Sequence, residues 1–244
     1  MRVGLVVDQL FAPVPGGTGR YAGELASALA NTAPQGSSLQ TWCAWHGLKP
    51  PAVPGRQAPS QLPLGSKVIS RLWERGLGPA PRDADVVHAT TLLLPPKRHA
   101  ALVVTIHDIV PWTHPETLTP RGVDFHLRMG ARAAREADLI VTQTLAVADQ
   151  IREMLAPRAE VLAVPAGFSS GLDVPDNARE RRSRFVGQDG YLLFVGTSEP
   201  RKGLDTLLDA LSDPRLRDQP LVVVGPRGWG GVDVVQDAAD RGVA

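Results

Sequence analysis

The sequence predicts an α/β protein built on parallel sheet, and three observations carry that expectation. Short apolar runs recur along the chain, helix-like segments fall between several of them, and many of the runs are apolar throughout rather than alternating. Continuous apolar strands are those covered on both faces, and alternation with helices is how parallel strands are connected.

The first run, Val3–Val7, reads as a strand. It leads into "DQLFAPVPGGTGRYAGELASALA", where glycines precede a helix over Arg20–Ala30 with Tyr21, Leu25, Ala28 and Leu29 on its apolar face. Leu39–Ala44 is the next strand. Gly47–Gly65 is rich in Pro, Gly, Gln and Ala and reads as an irregular excursion. Ser66–Leu77 follows as a cationic amphipathic helix, with Ile69, Trp73 and Leu77 in one stripe and Lys67, Arg71 and Arg75 in the next. Strands are then expected at Asp85–His88, Leu102–Ile106, Leu139–Thr142 and Val161–Val164, with helices at Arg121–Ala137 and Ala146–Leu155. "GFSSGLDVPDN" and the basic "ARERRSR" after it read as a linker. That divides the chain into a first domain over 1–168, a linker over 169–186 and a second domain over 187–244. In the second domain a strand at Tyr191–Val195 runs into a helix at Leu204–Leu211, then a strand at Leu221–Val224 and the start of another helix. Roughly 60 residues bury too little surface for a doubly wound domain, so the second domain is expected to be incomplete.

Totals exclude several classes. With 244 residues the chain is one large domain or two small ones. A formal net charge of +1 argues against a dedicated nucleic-acid binder. The one cysteine, Cys43, permits no intrachain disulfide and fits a reducing cytoplasm. The N-terminal apolar run is too short for a signal peptide, and no run approaches the roughly 18 apolar residues of a membrane span, so a soluble chain is expected.

The richest stretch is "YLLFVGTSEPRKGLDTLLDAL". Arg201 and Lys202 stand side by side just ahead of a helix, where exposed N–H groups and the dipole already favour an anion. Cations there oppose the dipole, and a bound anion supplies the missing reason for them. Gly16, Gly17 and Gly19 let backbone approach a phosphate or sugar, or else simply shape a loop. Gly17–Ala22 matches G-x-G-x-x-A, yet it stands far from the preceding strand, and no carboxylate ends the next one. A nicotinamide site is therefore disfavoured. His107 and Asp108 end a strand, where ligands of α/β sheets bind; the alternative is that Asp108 caps a turn and His107 packs. His88 also ends a strand, and reads first as a satisfied core or rim histidine. No His/Cys/Asp/Glu spacing points to a metal. The basic helix at 66–77 is either a solvated edge or a contact with an anionic membrane surface.

Taken together, "LLFVGTSEPRKGLDTLLDAL" and "PLVVVGPRGWG" resemble the second-domain opening of the family-four (group 1) glycosyltransferases, in the subgroup reading Gly-Thr-x-Glu-Pro-Arg-Lys. "PGGTGRYAGELASAL", "DVVHATTLLLPP", "TIHDIVPWTHPE", "ADLIVTQT" and "VLAVPAGF" fit the same family in the same order. The resemblance implies a GT-B fold of two Rossmann-like domains, the second incomplete here. It implies transfer of a hexose, mannose by the subgroup's usual chemistry, from a GDP- or UDP-linked sugar to a glycan, lipid-linked or small-molecule acceptor. Retention at the anomeric carbon and no essential metal or cofactor are implied as well. Arg201 and Lys202 would bind the donor diphosphate, with Gly16, Gly17 and Thr197 near it. Thr197 stands where many relatives carry arginine. His107 would lie beside the transferred sugar, with Asp108 and His88 on the acceptor or sugar side. The family's Glu-x7-Glu donor segment has no counterpart before Ala244, so little or no transferase activity is expected of this chain. Two other readings share these residues: another GT-B enzyme such as a sugar-nucleotide epimerase, and a non-enzymatic fragment that partners an intact transferase. A cytoplasmic location, at the inner membrane face if the basic helix touches lipid, completes the expectation.

Overall fold

Seven strands form one all-parallel sheet: β1 (Arg2–Val6), β2 (Ser38–Trp45), β3 (Ser60–Gly65), β4 (Val86–Ala89), β5 (Ala101–Thr105), β6 (Leu139–Thr142) and β7 (Glu160–Ala163). Their spatial order is β3-β2-β1-β4-β5-β6-β7, with β1 paired in parallel to both β2 and β4. The connections carry α1 (Gly16–Thr32), α2 (Ser66–Trp73), α3 (Val110–Thr113), α4 (Pro120–Glu136) and α5 (Leu145–Leu155). This is the α/β class expected, a Rossmann-like parallel sheet with helices packed on it. The computed structural model describes residues 1–48, 58–167, 173–186, 190–216, 218–228 and 230–243, and divides into the units Met1–Ser169 and Ser170–Ala244.

The period-two alternation of a strand sorts β1 and its flank between two cores. Val6 points to one face and joins Ile69 and Trp73 of α2, Met129 and Ala133 of α4, and Ile151 of α5. Leu5 and Val7 point to the other, where Ala22 and Ala26 of α1 cover them. In register, Leu5 lies opposite His88 and His88 opposite Val103, so His88 and Thr105 share the face covered by α1. Cys43 is buried on β2, and burial first and the nearby Asp8 charge second push its thiol up to about 12.

Several expectations need correction. Ser60–Gly65 is not irregular: it is the edge strand β3, with Leu62 buried. Pro63 hides it in the sequence, and an edge position is where a strand tolerates a residue without an N–H. The rest of that excursion, 49–57, lies outside the described residues. Helix α1 starts at Gly16, so the glycines belong to its first turn; its buried positions are Gly19, Ala22 and Ala26, while Ala28 is exposed. Helix α2 stops at Trp73, and Leu77, which spacing puts on its apolar stripe, is 55% exposed. The segment 169–186 is not all linker, since it contains α6 (Ala178–Val186), although 168–172 lie outside the described residues.

The second unit continues with β8 (Leu192–Val195), α7 (Leu204–Leu211), β9 (Leu221–Val224) and α8 (Val234–Asp240), β8 and β9 pairing in parallel. Leu204, Leu208 and Leu211 bury the inner face of α7. The apolar run of β8 predicts cover on both faces, yet Leu193 and Val195 are more than half exposed.

Candidate functional site

At the carboxyl edge of the seven-stranded sheet, β5 delivers His107 and β4 delivers His88. His107 is half-buried, and its Nε2 lies 2.8 Å from the Thr90 carbonyl oxygen. A carbonyl only accepts, so Nε2 carries the proton and donates it. The Gln143 side chain lies close enough to influence the ring, and Tyr21 meets it edge-on at 5.0 Å. Burial lowers the His107 pKa, against the raising effects of the Thr90 carbonyl, Asp108 and Gln143. His88 Nε2 is 2.8 Å from Thr105 Oγ1, which in turn is 3.4 Å from the Tyr21 hydroxyl. Burial first and His107 second bring the His88 pKa down to about 4. Near neutral pH both rings are uncharged, so this edge offers hydrogen bonds rather than positive charge.

Asp108 is exposed, and its Oδ1 accepts the Val110 amide at 3.1 Å. That hydrogen bond holds the turn ahead of α3, and leaves the second carboxylate oxygen out of it.

The three glycines of α1 divide by what surrounds them. A Cβ at Gly19 would press on Pro15 and on the Gln9 carbonyl, so its absence there serves packing. Gly17 faces open space, and Gly16 combines open space with a φ of 60°, in the left-handed region. Packing gives no reason for Gly17 to lack a side chain. Both open glycines are in the helix's first turn, whose backbone N–H groups have no earlier helical partners.

The second unit holds the remaining candidates. Pro200–Lys202 form a short 3₁₀ turn, Gly203 follows with a φ of 66°, and α7 begins at Leu204. Gly203 is the residue type this left-handed junction requires, and it ends one turn while starting the next. Arg201 is paired with Glu199 at 2.6 Å, which supplies part of the compensation its position needs. Lys202 is exposed and pairs with no carboxylate among the described residues. Thr197 precedes Ser198, whose backbone bridges to Arg227 beside the end of β9. The two sets of residues belong to different units.

Several polar groups at the histidine edge escape a reading of the sequence. Helical spacing puts Tyr21 on an apolar face, but its hydroxyl reaches Thr105. Gln143 Nε2 and Thr142 Oγ1, at the end of β6, are buried without a partner. Their position after an apolar strand is the signal that could have found them. His46, which no motif singles out, lies 3.1 Å from Asp8 Oδ1, which also accepts the Ala44 amide at 2.8 Å. Among the described residues no group of three His, Cys, Asp or Glu could hold a metal ion, and no helix is long and apolar enough to cross a membrane.

Residues 15–170 match the family described as Glycosyltransferase Family 4. Over 166 residues, 64% of this chain, the sequence is 29% identical to the O-antigen chain mannosyltransferase B of Escherichia coli. The aligned stretch is 42% of that protein, so this chain covers less than half the length of the relative it matches. Gly16, Gly17, His88, His107 and Asp108 fall inside the family match, whereas Thr197, Arg201 and Lys202 lie beyond it.

Proposed function

The chain belongs to Glycosyltransferase Family 4, and from that premise we propose that it serves transfer of a hexose from a nucleotide-diphosphate sugar, with Arg201 and Lys202 as the diphosphate ligands. The observation that carries the proposal is the Arg201-Lys202-Gly203 turn at the start of α7, with Lys202 exposed and left without a carboxylate among the described residues. Two cations and free N–H groups at one helix start suit a diphosphate. In the reaction the bond from the anomeric carbon to the diphosphate oxygen breaks, and the acceptor oxygen bonds to that carbon. The acceptor's proton leaves with the diphosphate. Negative charge grows on the departing group, and fixed cations lower that barrier without rearranging.

His107 is proposed to contact the transferred sugar as an uncharged ring oriented by the Thr90 carbonyl, with the unpartnered Gln143 Nε2 as a further donor beside it. Gly16 and Gly17 are proposed to admit the donor phosphates or the acceptor against bare backbone. Mannose is the proposed sugar, supported by the mannosyltransferase activity in the name of the Escherichia coli relative, and retention is proposed from the resemblance to the family.

Calorimetric titration of GDP and UDP, without added metal, tests the diphosphate site. In Arg201→Ala/Lys202→Ala the absence of each cation should weaken binding by about 1.5–3 kcal/mol. Equal affinity of the variant and the parent chain would remove these residues from the site.

A further inference from the structure

The first unit contains a second candidate for anion recognition, away from the histidine edge's own hydrogen bonds. Ser66, Lys67, Ser70 and Arg71 of α2, together with Asp8 and Arg121, line a cavity of about 360 Å³. Asp8 lies two residues past the end of β1 and Arg121 is in the first turn of α4, so the cavity belongs to the carboxyl edge of the sheet, where α/β proteins place ligands.

The charges on its wall are unequal in kind. Arg121 is engaged by the Glu74 carboxylate, which Arg121 holds below the usual carboxylate range. Asp8 Oδ1 is taken up by the Ala44 amide, by His46 and, at 3.5 Å, by the Ser66 hydroxyl. Lys67 and Arg71 are both exposed, and neither pairs with a carboxylate among the described residues. By contrast, Arg2, Arg152 and Arg241 each find one. Lys67 and Arg71 are also four residues apart on one helix, where like charges repel. Arg71 has a helix-dipole role at the end of α2, but Lys67 sits in the first turn and opposes the dipole.

We propose that this cavity binds a phosphoryl group carried by the acceptor, with Lys67 and Arg71 as its charged ligands and Ser70 as a hydroxyl donor. The proposal rests on the glycosyltransferase reading for the word acceptor, although the anion site itself does not. Cavity, hydroxyls and unneutralised cations on one wall match the tetrahedral, multiply charged oxygens of phosphate.

The test follows backbone amide shifts of the full chain, isotopically labelled, during titration with inorganic pyrophosphate at low ionic strength. Saturable shifts are expected at Ser66–Arg71, and Lys67→Gln/Arg71→Gln should weaken that response about tenfold or more. Ser70→Asp, which places a carboxylate in the same wall, should do likewise and guards against a misfolded double variant. Silent amides at Ser66–Arg71, or an unchanged response in both variants, overturn the proposal. Shifts confined to Gly196–Gly203 overturn it while leaving the donor reading in place. Shifts at Ser66–Arg71 with none at Gly196–Gly203 support it and count against the donor reading instead. Competition by phosphatidylcholine vesicles containing phosphatidylglycerol, but not by phosphatidylcholine alone, would identify the phosphoryl source as a lipid headgroup. Displacement only by a soluble sugar phosphate would identify a soluble acceptor, and either result supports the site.

Discussion

His88 is a base kept uncharged by its surroundings, and that should register in stability. A histidine in the unfolded chain titrates near 6.5, whereas His88 does so at about 4. Between those values the unfolded chain takes up a proton that the folded chain refuses. Stability is therefore full above about pH 6.5 and declines as pH falls toward 4, by on the order of 3 kcal/mol for this group. His107 is shifted in the same direction and adds to the decline. Denaturant unfolding at about pH 7 and about pH 4.5 should show the loss, and His88→Gln should make it smaller. The glycines give a second residue-scale contrast. Gly19→Ala should cost about 1–3 kcal/mol, because its methyl meets Pro15 and Gln9. Gly17→Ala should leave the melt within about 0.5 kcal/mol, because open space receives the methyl, yet weaken diphosphate binding if donor phosphates approach there. His88 and His107 are legible in the sequence because each closes an apolar run. Tyr21 is not, since its partner Thr105 lies 84 residues away and only folding joins them.

Among the elements, α4 carries the firmest single tie. Arg132 is 4% exposed, donates to the carbonyls of Trp73, Leu94 and Pro95, and pairs with Glu136 at 2.5 Å. One side chain thus fastens the end of α2 and the chain after β4 to the middle of the helix layer. Arg132→Met should cost about 3 kcal/mol or more in chemical denaturation, since it leaves buried carbonyls without donors. The inner strands β1, β4, β5 and β6 are legible as apolar runs because both their faces are covered. The edge strand β3 is not, because Pro63 and a polar neighbourhood erase the pattern that an edge does not need. The start of α1 is hidden for a related reason: glycine is a poor helix former, and here Gly19 is retained for close packing. Arg201 and Lys202 are legible as a charged turn, whereas Glu199 as the partner of Arg201 emerges only in three dimensions.

For the molecule as a whole, burial is uneven between the units. The first holds a continuous core running from Val6 to Val161, while the buried apolar residues among the described part of the second are Leu204, Leu208 and Leu211. Amides of β1, β4 and β5 should exchange with solvent at least about a hundredfold more slowly than those of β8 and β9, as hydrogen exchange read by mass spectrometry can check. Comparable protection in both units would contradict this. The strand order has a further consequence, for synthesis. As translation proceeds, β2 settles beside β1 and β3 beside β2; β4 then takes the free side of β1, and β5, β6 and β7 follow outward. Every new strand joins an edge of what is already there, and none has to be threaded between partners. A ribosome delivers this sheet in an order in which it can be laid down, and the strands that deliver His88 and His107 are made before the last two strands emerge.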